Sequence, residues 1–137
     1  MTNYTIVSRF RNKDAVLHLI EELKKRGKTC YNFCEMPADP NNPFGDPDAQ
    51  MAVFESERNF LANPYYRKIF ERDLNGLKHA QAVILLLPAG TSAHIEIGIA
   101  YGLGKKCILI GKPLKPETLY LLFDEYHERV ENFLASL

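Results

Sequence analysis

Apolar positions along this chain alternate between strand-like runs and helix-like spacings. Tyr4–Val7 reads as a short buried strand. Lys13–Arg26 follows with Val16, Leu17, Ile20 and Leu23 on one side, the pattern of an amphipathic helix. Gly27 stands where helices commonly close on a left-handed residue. Thr29–Cys34 alternates and is rich in strand-forming residues, predicting a second strand. Ala49–Leu61 has helical character, and Asn63-Pro64 breaks it, with Pro64 suited to the first turn of a further helix over 64–79. Val83–Leu87 is nearly continuous apolar sequence, as in a central parallel strand covered on both faces. A tight turn at Pro88–Gly90, a helix over 93–103 and a fourth strand at Cys107–Ile110 come next. Thr118–Phe123 and Val130–Leu137 read as C-terminal helices around a short connection.

Strands alternating with helices predict a single α/β domain over 1–137. Its expected form is a doubly wound, flavodoxin/Rossmann-like parallel sheet of four to five strands with helices on both faces. With strand order 2-1-3-4, the strand order reverses between Ser8-Arg9-Phe10 and Pro88–Ser92, which is where such folds bind ligands. Residues 35–48 hold four prolines, which excludes a continuous helix or central strand there. The segment reads either as a lid or binding loop, with Phe44 able to cover a ligand, or as a plain surface loop.

Two carboxylates disturb the apolar pattern. On the 64–79 helix Asp73 falls inside the stripe of Tyr66, Ile69, Phe70 and Leu77. On the next helix Glu96 shares a side with Ile99, Ala100 and Leu103. Burying an unpaired carboxylate costs several kcal/mol or forces protonation. Two carboxyls in unlike environments suit acid/base and nucleophilic chemistry on a glycosidic bond. The structural alternatives are a Glu held by the helix N-terminus and an Asp paired with Arg72 or Lys78.

The residues carrying these carboxylates resemble the nucleoside 2-deoxyribosyltransferase superfamily. The match lies in Asp73-Leu-Asn-Gly-Leu-Lys78, the strand Gln81–Leu87 and Glu96-Ile-Gly-Ile-Ala-Tyr-Gly-Leu-Gly-Lys105. The 2'-deoxynucleoside 5'-phosphate N-hydrolases are similar in the same way. The resemblance covers about 68–111, is weaker over the first strand and helix, and is faint after Lys112. It implies Glu96 as nucleophile, forming a covalent deoxyribosyl intermediate, and Asp73 as the group assisting departure of the base. Transfer and hydrolysis share this first half-reaction. The small-residue turn Gly90, Thr91 and Ser92 can cradle a 5'-hydroxyl or phosphate, or the two hydroxyls can merely cap the helix. Arg9 can grip a phosphate and Phe10 can stack on a base, which with Ser8 makes this turn a candidate binding edge. His94 points away from Glu96 and reads as a rim residue.

One departure stands out. Members usually carry a Tyr in the first strand that bonds the nucleophile, followed by a Gly-containing loop, whereas Val7 stands at that place and no glycine follows. Either another hydroxyl, Tyr4 or Tyr101, substitutes, or turnover is weakened or lost. The rival readings are therefore a nucleotide-binding sensor or adaptor without turnover, and a related nucleotide or NAD glycohydrolase.

Composition narrows the partners. A net charge of zero, with 17 basic and 17 acidic residues, leaves no basic footprint for a nucleic-acid polymer or an anionic membrane. The longest apolar run is strand-sized, and the N-terminus lacks the pattern of a signal peptide. Three cysteines, Cys30, Cys34 and Cys107, fit reduced core thiols of a cytoplasmic protein and lack zinc-site spacing. The chemistry needs no metal or cofactor, and the partner is a small nucleoside or nucleotide. A homo-oligomer is expected, with the site near a subunit boundary. Its contact surface would be Tyr65-Tyr66 and the 49–61 helix bearing Met51, Val53 and Phe54.

Overall fold

The computed structural model describes residues 1–35 and 47–137. The lid reading of 35–48, Phe44 included, therefore falls outside the described residues except at its ends. Five parallel strands form one sheet in the order β2-β1-β3-β4-β5. They are β1 (Thr2–Val7), β2 (Cys30–Tyr31), β3 (Ala80–Leu86), β4 (Lys106–Ile110) and β5 (Glu125–His127). The helices are α1 (Lys13–Lys25), α2 (Pro47–Glu55), α3 (Pro64–Lys78), α4 (Thr91–Gly102) and α5 (Val130–Ala135). This is the doubly wound, flavodoxin-like α/β architecture expected from the sequence.

Strand side chains alternate between two cores. Ile6, Ile84, Leu86, Ile108 and Ile110 face Val16, Leu19 and Leu23 of α1 and Phe133 of α5. Val7, Val83, Leu85, Cys107 and Leu109 face Leu77 of α3 and Ala93, Ile97 and Ala100 of α4. Burial on both faces explains why β3 and β4 are almost wholly apolar. Gly27 closes α1 at φ +74°, donating its amide to Lys24. No helix among the described residues is long and apolar enough to cross a membrane.

Some boundaries differ from the pattern reading. β2 is two residues long instead of six, because the Asn32 side chain accepts the Cys34 amide at 2.9 Å and turns the chain. The helix expected over 49–61 ends at Glu55, where Ser56 bonds the Val53 carbonyl through both its amide and its hydroxyl. Thr118–Leu122 forms a 3-10 turn, not an α-helix, and the expected connection after it contains β5. Phe70 and Leu103, read from spacing as inward-facing, are 51% and 46% exposed.

Candidate active site

Asp73 lies in the third turn of α3, where its neighbours at i−4, i+3 and i+4 are the buried Ile69, Gly76 and Leu77. The helix thus aims this carboxylate at the sheet. Two hydroxyls below hold this stretch of the helix. Tyr31, the last residue of β2, donates its hydroxyl to Oδ1 of Asp73 at 2.7 Å. Thr5 of β1, paired in register with Tyr31, donates to the Gly76 carbonyl at 2.8 Å. Arg72 lies 3.4 Å from the same Oδ1 and also donates to the backbone carbonyls of Phe33 and Glu35. The chain leaving β2 is thereby tied to the helix that carries Asp73.

Glu96 lies on α4, flanked at i−3 and i+4 by the buried Ala93 and Ala100, on the same side of the sheet as Asp73. It is the sixth residue of its helix. The stabilising effect of a helix N-terminus fades within the first turn, so the dipole does little for this charge. Among the described residues its carboxyl has no hydrogen-bond or ion-pair partner. Burial, and then the negative charge of Asp73, push its pKa from 4.5 up to about 8. Asp73 is raised too, by burial, but the Tyr31 hydroxyl and the Arg72 guanidinium pull it back. Glu96 is therefore the harder of the two carboxyls to ionise.

This arrangement predicts how stability varies with pH. The folded pKa of Glu96 exceeds its ordinary value of 4.5, so the native state binds more protons than the unfolded chain between the two. Its favourable contribution is complete below about pH 4.5 and is lost as pH rises through about 8. Glu96→Gln is expected to remove that loss and to be more stable than the parent above pH 8, by on the order of 2–4 kcal/mol. Urea unfolding of both proteins at acid, neutral and alkaline pH checks it. Parallel stability curves would show that Glu96 is not a high-pKa group.

The other candidate residues divide into two groups. Arg9 and Gly90 are neighbours where β1 and β3 end, and a Cβ placed on Gly90 would lie 3.9 Å from the Arg9 Cβ. Thr91 and Ser92 are exposed at the start of α4, and neither caps it; Gly90 is the N-cap residue. The first amides of α4 and these two hydroxyls thus remain available to a ligand. Ser8 and Phe10 serve the fold. The Ser8 hydroxyl is buried, donates to the Leu86 and Pro88 carbonyls and accepts from Asn12, which locks the β1 and β3 ends together. The Phe10 ring is 7% exposed and belongs to the α1 core, across the sheet from Asp73 and Glu96, with Lys13 over it. It has no free face for a base, so the stacking role read for it from sequence does not hold. His94 is fixed between the Gly90 carbonyl and the Tyr120 hydroxyl, away from the carboxyl pair.

Neither tyrosine named from sequence supplies the missing hydroxyl. Tyr4 packs edge-on against Phe133 in the opposite core, and Tyr101 is 59% exposed. Tyr31 was not foreseen, because pairing of β2 with β1 brings residues 31 and 73 together across 42 positions of sequence. Its signal was present as an aromatic hydroxyl at the end of an edge strand one position from the reversal of strand order. Val7, buried in the α3–α4 core, lies on the neighbouring strand two positions beyond Thr5, the residue paired with Tyr31.

No family model matches the sequence, and no curated protein matches it either. Solved structures do match in fold. The 2-deoxyribosyltransferase of the psychrotolerant bacterium Bacillus psychrosaccharolyticus, described as a biocatalyst for nucleoside synthesis, superposes with a TM-score of 0.65. It is 18% identical, over 96% of this chain and 90% of its own. The CMP N-glycosidase BcmB of Clostridium botulinum superposes with a TM-score of 0.55 at 17% identity, over 98% of this chain and 96% of its own. The chain therefore shares, along essentially its whole length, the fold of enzymes that act on nucleosides and nucleotides.

Proposed function

We propose that this chain belongs to the nucleoside 2-deoxyribosyltransferase superfamily and cleaves or transfers the N-glycosidic bond of a 2'-deoxynucleoside or its 5'-monophosphate. The observation that carries the reading is that Glu96, half-buried and without a hydrogen-bond or ion-pair partner among the described residues, lies on the same face of the sheet as Asp73, which is anchored on one oxygen only. A structural carboxylate would be expected to have partners that offset its desolvation.

In this reading the pair starts with one proton, on Glu96, and the sequence balances. Glu96 passes its proton to Asp73 and becomes a carboxylate. A Glu96 oxygen then bonds to C1' of the sugar as the C1'–N bond breaks, and the bonding pair leaves on the base nitrogen. Asp73 returns the proton to that base. Water, or the nitrogen of a second base, attacks C1', releases Glu96 and gives its proton back to the pair. In this reading Arg9, Gly90, Thr91 and Ser92 hold the 5'-hydroxyl or 5'-phosphate.

Incubation with a panel of deoxynucleosides, their monophosphates and NAD, with and without an acceptor base, tests the reading by chromatography of released or exchanged base. Free or exchanged base from a deoxynucleoside substrate is the expected result. Binding of a panel member without turnover would favour a nucleotide sensor, and cleavage of NAD alone a glycohydrolase of a different substrate class.

The same reading includes self-association. Phe60, Leu61 and Phe70 remain exposed around α3, although Phe54 and Tyr66 already stack on each other at 4.1 Å between α2 and α3. Light scattering at micromolar concentration is expected to give at least a dimer mass. A clean monomer with full activity would rule out a site shared between subunits.

A further inference from the structure

Two hydrogen-bonding groups meet Asp73, and both address one side of it. Tyr31 and Arg72 both reach Oδ1, and among the described residues Oδ2 has no partner. The Tyr31 ring can take this place only because residue 76 is glycine. A Cβ there would sit 2.7, 2.9 and 2.9 Å from three Tyr31 ring atoms, closer than carbon atoms approach without displacement. Thr5 then clamps the Gly76 carbonyl from the adjacent strand. Helix α3 thus rests on an aromatic ring whose far end holds the carboxylate three residues back.

We propose that Tyr31 is the positioning residue of this site: its hydroxyl occupies Oδ1 of Asp73 and leaves Oδ2 as the oxygen that takes the proton from Glu96 and delivers it, while Gly76 provides the room for the ring. This assignment rests on the glycosidic reading for its catalytic consequence, but the proton distribution it describes does not depend on a bound substrate. A hydroxyl donating to a carboxylate favours the charged form. Tyr31 thereby keeps Asp73 ionised and the shared proton on Glu96 until substrate arrives. The hydroxyl usually expected from β1 comes here from β2, and it acts on the acid instead of the nucleophile.

Tyr31→Phe keeps the ring and deletes the hydroxyl. Site-resolved carbon-13 NMR titration of the two carboxyls is expected to show the Asp73 midpoint rising by about one unit or more and the Glu96 midpoint falling. That corresponds to at least a ~10-fold redistribution of the shared proton toward Asp73. Gly76→Ala, which displaces the ring without touching the hydroxyl, is expected to move both midpoints the same way. The Tyr31→Phe/Gly76→Ala double variant should move them no further than Tyr31→Phe alone. Where turnover is measurable, Tyr31→Phe should lower kcat and shift its pH profile with KM nearly unchanged. Unmoved midpoints in Tyr31→Phe, or additive shifts in the double variant, would overturn the proposal. Absence of turnover with the midpoints shifted as described would instead count against the glycosidic reading alone.

Discussion

Glu96→Gln is expected to lower cleavage or exchange by more than about a thousandfold while the protein stays folded. In the proposed mechanism Glu96 is the nucleophile, and effects of this size are usual when such a group is removed. The amide keeps the shape of the side chain and cannot open the C1' bond. It also removes the only carboxyl of the site without a hydrogen-bond partner among the described residues, so the loss of activity should coincide with a gain in stability at alkaline pH. Those two effects in opposite directions separate a chemical role from a structural one. Mass spectrometry of quenched reactions adds a second reading: the parent protein should carry a sugar adduct on Glu96, and the variant none. A variant that retains turnover near that of the parent would remove Glu96 from the mechanism.

Asp73→Asn should cost about 10²–10⁴-fold in turnover, as expected for a group that moves a proton in the rate-determining step. The loss should depend on the leaving group. A base that departs readily without protonation needs Asp73 less, so the deficit should shrink with such substrates, whereas a merely structural defect would reduce all substrates equally. The substitution also removes the negative charge that helps to raise Glu96, so the Glu96 midpoint should fall toward ordinary values. Equal losses across leaving groups, with the Glu96 titration unaltered, would assign Asp73 to the fold.

Placement of the two carboxyls also accounts for the division between α3 and α4. Asp73 is tied down by Tyr31 and Arg72, whereas Glu96 has no hydrogen-bond partner among the described residues and burial pushes its pKa up to about 8. Unlike environments push two similar groups apart in pKa, and each can then take a different part in one reaction. The three cysteines do not compete for the nucleophilic role. Burial raises the thiols of Cys30, Cys34 and Cys107 to about 11, which leaves them protonated and inert near neutral pH.

Much of this protein could be read from local sequence. The apolar runs at Ile6-Val7, Val83–Leu87 and Cys107–Ile110, separated by helical spacings, specify parallel strands with covered faces, because burial on both sides demands carbon at consecutive positions. Asp73 and Glu96 were legible for the converse reason: each interrupts a stripe in which a charge is costly. Asn63-Pro64 and Gly27 mark helix ends through bonds made within a few residues, the Asn63 side chain accepting the Tyr65 amide at 2.9 Å. Short or irregular elements were harder. β5 has three residues and no pattern of its own, and it forms because β4 offers Ile108–Ile110 as a template. Phe10 looks like a ligand platform beside Arg9, and only the packing of α1 reveals that its ring is core. The tertiary structure alone decided that Tyr31 meets Asp73 and that Gly76 must be small, since both depend on β2 lying beside β1 under α3. Periodicity records which face a residue turns inward. It does not record which distant residue waits there, because that partner is set by strand order, and strand order arises from packing the whole chain.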